Sequence, residues 1–288
     1  MADITIEALA YSGIYGIAAR GGPFWTSTTV GYVIYSDNYA DFKYKKTVDG
    51  GANWAGAVNI RTGAIFAYDC WADWQTPGDA GTKIHIVYID ADSDDVRYVY
   101  LDTSTDSVSG DRLIEAIQGT GALSASVGRR RQLTTITKAR GGNLAVAMHY
   151  TDSALSMFYP FYTSPDGVTW TSRASPLEAN IWEKALLFPG NEADNQDLWA
   201  TYVDRSVSEI SLKTYDNSGN SWSEQLLSAN IIPTSIYLQM DGAIRLSDGH
   251  LIFAAWSEYD TSFADLLVWD INGAGSIVAK TNIFNNAP

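Results

Sequence analysis

The chain has 288 residues, 46% hydrophobic and 12% aromatic, with a formal net charge of −14 and a pI near 4.5. This balance excludes a disordered chain, and so acidic a surface repels nucleic acid and anionic membranes. No run of about 18 apolar residues is present to insert into a membrane, and one cysteine, Cys70, with three scattered histidines leaves no disulfide and no Cys/His zinc pattern.

Seventeen tyrosines, ten tryptophans and 24 glycines favour short strands joined by tight turns. The chain opens on "DITIEALA" (3–10), which reads as a strand, and its acidic start shows no signal-peptide pattern. The apolar run "GIYGIAAR" (13–20) follows, then a long aromatic connection, "RGGPFWTSTT". Next comes "GYVIYSD", an apolar run closing on an aromatic, one residue and a carboxylate, Asp37. Twelve residues on, "TVDGGANW" (47–54) is a glycine turn in which Asp49 bonds its own downstream amides.

The same order then recurs. "GAIFAY", the connection "DCWADWQTPGDAGT", "IHIVYID" ending at Asp90 and "YLDTSTDSVSG" form a second unit. After a weakly helical "DRLIEAIQG" (111–119) and the basic "GRRRQL" come "QLTTITKA", "AVAMHYTD" ending at Asp152, and "SPDGVTW" (164–170). "KALLFP", "LWATYVD" ending at Asp204 and "TYDNSGNSW" (214–222) make a fourth. "GAIRLSDG", "IFAAWSE" with Glu258 and "WDINGAGS" make a fifth. A period of about 53 residues with four strands per unit describes a β-propeller blade. The expected fold is therefore an all-β propeller of five four-stranded blades, six being the alternative. One domain spans 1–288, and the N-terminal strand completes the last blade to close the ring.

Ser/Thr-x-Asp-x-Gly-x-x-Trp between the third and fourth strands, clearest in "TVDGGANW" and shortened in "SPDGVTW", resembles the Asp-box, or BNR repeat, of sialidase-like propellers. The resemblance implies a structural turn on the face opposite the active site, with Asp49 and Asp166 capping amides and Trp54 packing between blades. It also implies kinship with carbohydrate-active propellers. In "ARGGP", Arg20 and Pro23 fall near the place of that family's Arg-Ile-Pro motif, without its middle residue, and no Tyr/Glu nucleophile pair is identifiable.

Strand topology assigns the loops between blades to one face, here the top, where propeller ligands usually bind. The ligand-binding candidates there are Tyr11, Arg61, Arg131, Trp182 and Lys184. Aromatic faces stack on sugar rings and arginines fix acidic groups. Glu183 and Asp241, on adjacent blades, are the candidate acid and base or nucleophile of glycoside cleavage. Plugging of the channel mouth is the plain alternative for all of these residues.

Asp90 and Asp92 in "DADSDDV" are the best place for Ca²⁺, which is otherwise not required, although an Asp opening a turn ordinarily caps its own amides. On the opposite face Trp25, Trp71 and Trp74, in two long connections, read as an apolar patch for a protein partner, an oligomer or a second sugar surface. The expected function is carbohydrate recognition, as a receptor-binding or decorating module of a phage or bacterial surface assembly, placing it on a virion or outside a cell. The alternatives are a sialidase-like glycoside hydrolase and a structural platform for protein interactions.

Overall fold

The computed structural model describes residues 5–6, 20–37, 41–117, 133–152, 156–177, 184–190, 196–204, 207–229, 240–260 and 263–284, with the backbone alone at 184, 258–260, 263 and 264. Five antiparallel sheets account for these residues, with no α-helix among them. In each sheet the four main strands lie side by side in order along the chain, as hairpin connections require.

The first sheet contains Phe24–Trp25, Gly31–Asp37, Asp41–Thr47 and Val58–Thr62. The second begins with Ile65–Ala72, Lys83–Asp90 and Val96–Asp102; both Ser107–Val108 and Arg112–Glu115 pair with the last of these. The third is built on Leu133–Lys138, Leu144–Thr151, Phe161–Ser164 and Thr171–Arg173, with Met157–Phe158 added beside its second strand. Lys184–Pro189, Leu198–Asp204, Glu209–Asp216 and Ser221–Ala229 form the fourth, and Met240–Arg245, His250–Asp260, Phe263–Ile271 and Ile277–Phe284 the fifth. This arrangement of sheets is consistent with a propeller.

Two local expectations are corrected. Within "DRLIEAIQG", Arg112–Glu115 is a strand paired with Val96–Tyr98 and not part of a helix. The strand expected to end at Tyr68 runs on to Ala72, so Trp71 is 1% exposed and belongs to the core rather than to a surface patch. A strand alternates its faces, so this extension turns Tyr68, Cys70 and Ala72 toward the first sheet and Ala67 and Trp71 the other way.

Consecutive sheets pack through aromatic pairs. Phe42 of the first sheet meets Tyr68 and Tyr88 of the second at 5.0 and 5.7 Å between ring centroids. Tyr98 of the second meets Trp170 of the third at 5.4 Å, and Phe161 of the third meets Trp222 of the fourth at 5.4 Å. Trp170 and Trp222 close the turns after Asp166 and Asp216, so in these two units the tryptophan beyond the glycine turn packs against the preceding sheet. The fifth sheet joins the fourth in one continuous core that includes Phe188, Trp199, Phe253 and Trp269.

The turns themselves are held as an Asx geometry requires. Asp49 Oδ1 accepts the amide of Asn53 at 2.9 Å, and Thr47 Oγ accepts that of Gly51 at 3.0 Å. Asp166 Oδ1 accepts the amides of Val168 and Thr169, both at 2.8 Å. Hydrogen bonds to the ionised form hold these carboxyls below the usual range, chiefly from the Asn53 side chain at Asp49 and from the Thr169 amide at Asp166.

Of the expected N-terminal strand, only residues 5 and 6 are described. The carbonyl of Ile6 accepts a hydrogen bond from Lys45 Nζ of the first sheet.

Candidate functional site

Three places bear on function: the centre where the inner strands meet, the top-face candidates, and a groove on the opposite face.

Arg20 lies among three of these inner strands. Its Nε donates to Asp69 Oδ1 at 3.0 Å and its Nη2 pairs with Asp69 Oδ2, while Nη1 reaches the carbonyl of Leu187 at 3.1 Å. Nη2 also reaches the carbonyl of Ile136 at 2.6 Å and Thr135 Oγ at 3.1 Å. The guanidinium lies 4.9 Å from the ring centroid of Trp71 and 5.5 Å from that of Phe188, two rings that themselves meet edge-on at 6.2 Å. Asp69 is fully buried and takes a further hydrogen bond from the amide of Ile136 at 2.9 Å. One side chain thus ties the inner strands of the second, third and fourth sheets, and each of its three guanidinium nitrogens donates to a protein acceptor. The arginine at the Arg-Ile-Pro-like position is a strut here.

On the top face, Tyr11, Arg131, Trp182 and Glu183 lie outside the described residues, as does the side chain of Lys184, whose backbone opens the inner strand Lys184–Pro189. Asp241 is exposed, and its Oδ1 accepts the amide of Gly242 at 2.8 Å. Arg61 is the penultimate residue of the outer strand of the first sheet, pairs with Asp90 and donates to Asp92 Oδ2 at 2.9 Å. The positive charge between Asp90 and Asp92 is therefore a guanidinium. Asp90 Oδ1 also accepts the amide of Asp92 at 2.8 Å, the capping geometry. Asp37 and Asp152 likewise cap the amides of Asp41 and Ser156. No cluster of three or more metal-type side chains occurs among the described residues.

The opposite face carries a two-part groove. One part, about 290 Å³, is lined by Trp25, Thr26, Trp74, Ala80, Gly81, Thr82 and Thr103. The other, about 390 Å³, shares Gly81 and Thr82 and continues over Lys83, His85, Tyr98, Tyr100 and Lys138 to Asp166. The long connection after Ala72 builds both parts. A turn of 3-10 helix, Asp73–Gln75, follows the strand and sets Trp74 half-buried against the first sheet's side of the core. Trp25 stays 38% exposed.

Trp25 rests on Gly31: a methyl group there would lie 2.6 Å from its ring. Gly31→Ala is therefore expected to lift the Trp25 ring out of the groove wall and to cost about 1–3 kcal/mol. A red-shift or loss of the Trp25 fluorescence contribution, measured against Trp25→Phe, checks the displacement.

Beneath the second part lies a buried polar chain. Asp73 Oδ1 accepts from Lys138 Nζ at 2.5 Å and from His85 Nε2 at 2.8 Å, and Oδ2 accepts the amide of Lys83 at 2.9 Å. With Nε2–H committed to Asp73, His85 Nδ1 is left to accept the hydroxyl of Tyr98, 2.7 Å away. Burial alone would raise the Asp73 carboxyl, but these donors overcome it and hold the group well below the carboxylate range. Burial pushes His85 down and Tyr98 well up, so the chain is carboxylate, neutral imidazole and neutral phenol. Gly81 permits the loop to fold over Asp73, since a Cβ there would fall 2.2 Å from Oδ2.

Of the three tryptophans expected on this face, Trp25 and Trp74 share the groove and Trp71 does not. The Asp73–His85–Tyr98–Lys138 chain was missed because its members come from two sheets and no local spacing joins them.

By sequence, no family model matches the chain, nor does any curated protein. Solved structures do match. The Hadza microbial sialidase Hz136 superposes with a TM-score of 0.55 at 12% identity, covering 88% of this chain and 56% of its own. The likeness is one of fold. A mutant of AofleA from Arthrobotrys oligospora gives 0.58 at 12%, covering 94% and 73%. An ulvan lyase bound to -[GlcA(1-4)Rha3S]- gives 0.54 at 13%, covering 90% and 65%. The chain thus spans little more than half the length of the sialidase it resembles.

Proposed function

We propose that this chain is a single five-bladed propeller that recognises carbohydrate, binding a glycan in the groove between Trp25 and Trp74. The observation that carries this reading is the pairing of two accessible indole surfaces with the hydroxyl side chains of Thr26, Thr82 and Thr103 in one cleft. Aromatic faces cover the apolar side of a pyranose, and hydroxyls answer its ring of donors and acceptors. The fold's resemblance to a sialidase and an ulvan lyase supports the same substrate class. Arg20 speaks for recognition rather than sialidase chemistry, since the guanidinium that would seat a substrate carboxylate is bound to Asp69.

A glycan array followed by titration of each hit tests the proposal. Trp25→Ala is expected to weaken binding at least tenfold while the melting temperature stays within about 3 °C, Trp25 being partly exposed. Unchanged affinity in this variant would remove the groove as the site. Release of reducing ends from a bound glycan, lost in Glu183→Gln, would replace recognition by hydrolysis.

A further inference from the structure

The two parts of the groove differ in chemistry. The tryptophan part is walled by indoles and threonines. The second part has aromatic walls too, Tyr98 and Tyr100, but also two ammonium groups. Lys138 is neutralised by Asp73 at 2.5 Å and by Asp79 at 2.6 Å. Lys83 is different. Its ammonium stands 4.3 Å from the ring centroid of Tyr100 and forms no ion pair among the described residues.

The carboxylates around it form no ion pair with it among the described residues. Asp73 serves Lys138, His85 and the Lys83 amide. Asp102 stands directly opposite Lys83 in the strand pair and feels its charge, while its Oδ1 accepts the amide and hydroxyl of Ser104 at 3.0 and 2.6 Å and the hydroxyl of Thr82 at 2.9 Å. Asp166 Oδ1 is turned to its own turn amides. A cation over an aromatic face, in a pocket large enough for a sugar ring, is a donor held ready for an anionic substituent.

Gly81 and Thr82 line both parts, so the two adjoin along this segment. Together they provide room for more than one sugar residue.

We infer that the groove reads at least two consecutive sugar residues, the first stacked in the Trp25–Trp74 part and the second presenting a carboxylate or sulfate group to Lys83. This rests on the glycan reading above and gives it a substrate class: an anionic oligosaccharide entered along its length rather than a terminal neutral sugar. Monosaccharides fill one part only and bind weakly. The net charge of −14 opposes such a ligand at long range, but charges beyond roughly 8 Å are screened at physiological salt, which leaves the local ammonium to decide.

The test is calorimetric titration of the whole chain with three tetrasaccharide probes of one backbone: neutral, uronate-bearing and sulfated. At least tenfold tighter binding of an anionic probe than of the neutral one is expected, falling as salt rises. Lys83→Met, which keeps the apolar stem over Tyr100, is expected to erase that difference, and Lys83→Arg to restore it. Preference for only one anionic probe identifies the substituent, carboxylate or sulfate.

Equal affinity for all three probes, or an anionic preference untouched by Lys83→Met, would overturn the inference while leaving glycan recognition standing. Failure of every probe, together with silence across the array, would instead sink the glycan reading itself. Near-ultraviolet circular dichroism of each variant separates loss of the contact from loss of the fold.

Discussion

Arg20→Ala is expected to destabilise the protein by about 3–5 kcal/mol, the largest single loss foreseen. The substitution removes a charge whose partner, Asp69, is fully buried and has no route to water. The carboxylate would keep the Ile136 amide but lose its countercharge, and the carbonyls of Leu187 and Ile136 would lose a donor. Breaking one side of a buried pair costs more than the pair contributes, because an uncompensated charge stays behind. The double variant Arg20→Met with Asp69→Leu should therefore recover most of the loss. Urea unfolding of the two single variants and the double variant measures this; a double variant no better than the singles would show that packing on Trp71 and Phe188, not charge, governs the centre.

The second large effect is at Asp73. Asp73→Ala strips a partner from Lys138, from His85 and from the Lys83 amide at once, and is expected to cost roughly 3 kcal/mol. Its pH dependence follows from the directions of two shifts. The Asp73 carboxyl is held below its unfolded value of about 3.9, so its stabilisation is fully present above that pH and is lost as acid approaches the folded value. His85 is pushed below its unfolded value of about 6.5, so below that pH the unfolded chain binds a proton the fold refuses. Both act in the same direction: stability falls with acid, first through the histidine and then through the aspartate. In Asp73→Asn the stability deficit relative to the parent should shrink between pH 5 and pH 2. A deficit constant across that range would mean that the ion pairs contribute nothing.

How much of this was legible in the sequence depended on whether the signal was local. The aromatic-x-acid runs and the glycine turns repeat within each unit, and four inner strands lie where apolar runs such as "QLTTITKA" and "KALLFP" placed them. Asp69 misled because a carboxylate after Tyr68 reads as the end of a strand. Its countercharge sits 49 residues away, and with Arg20 beside it the strand runs on and carries Trp71 into the core. The groove was half legible: loop length and two tryptophans marked the face, but not the lysines and tyrosines beside them. Lys138 reaches Asp73 across 65 residues and from another sheet, a pairing that no periodicity encodes.

The Arg20 strut also bears on how the chain reaches this structure. Its acceptors lie 49, 116 and 167 positions further along the sequence. On a ribosome, Arg20 emerges early and Leu187 late, so the last of these bonds waits until about two thirds of the chain has been made. Contacts this distant carry the loop-closure cost that slows β-rich folding, and they form only after the sheets they join. The joining of these three inner strands is thus a late event. Until Leu187 arrives, Asp69 and the rim of Trp71 face a half-built neighbour, the stage at which an incomplete array of sheets is most open to pairing with another chain.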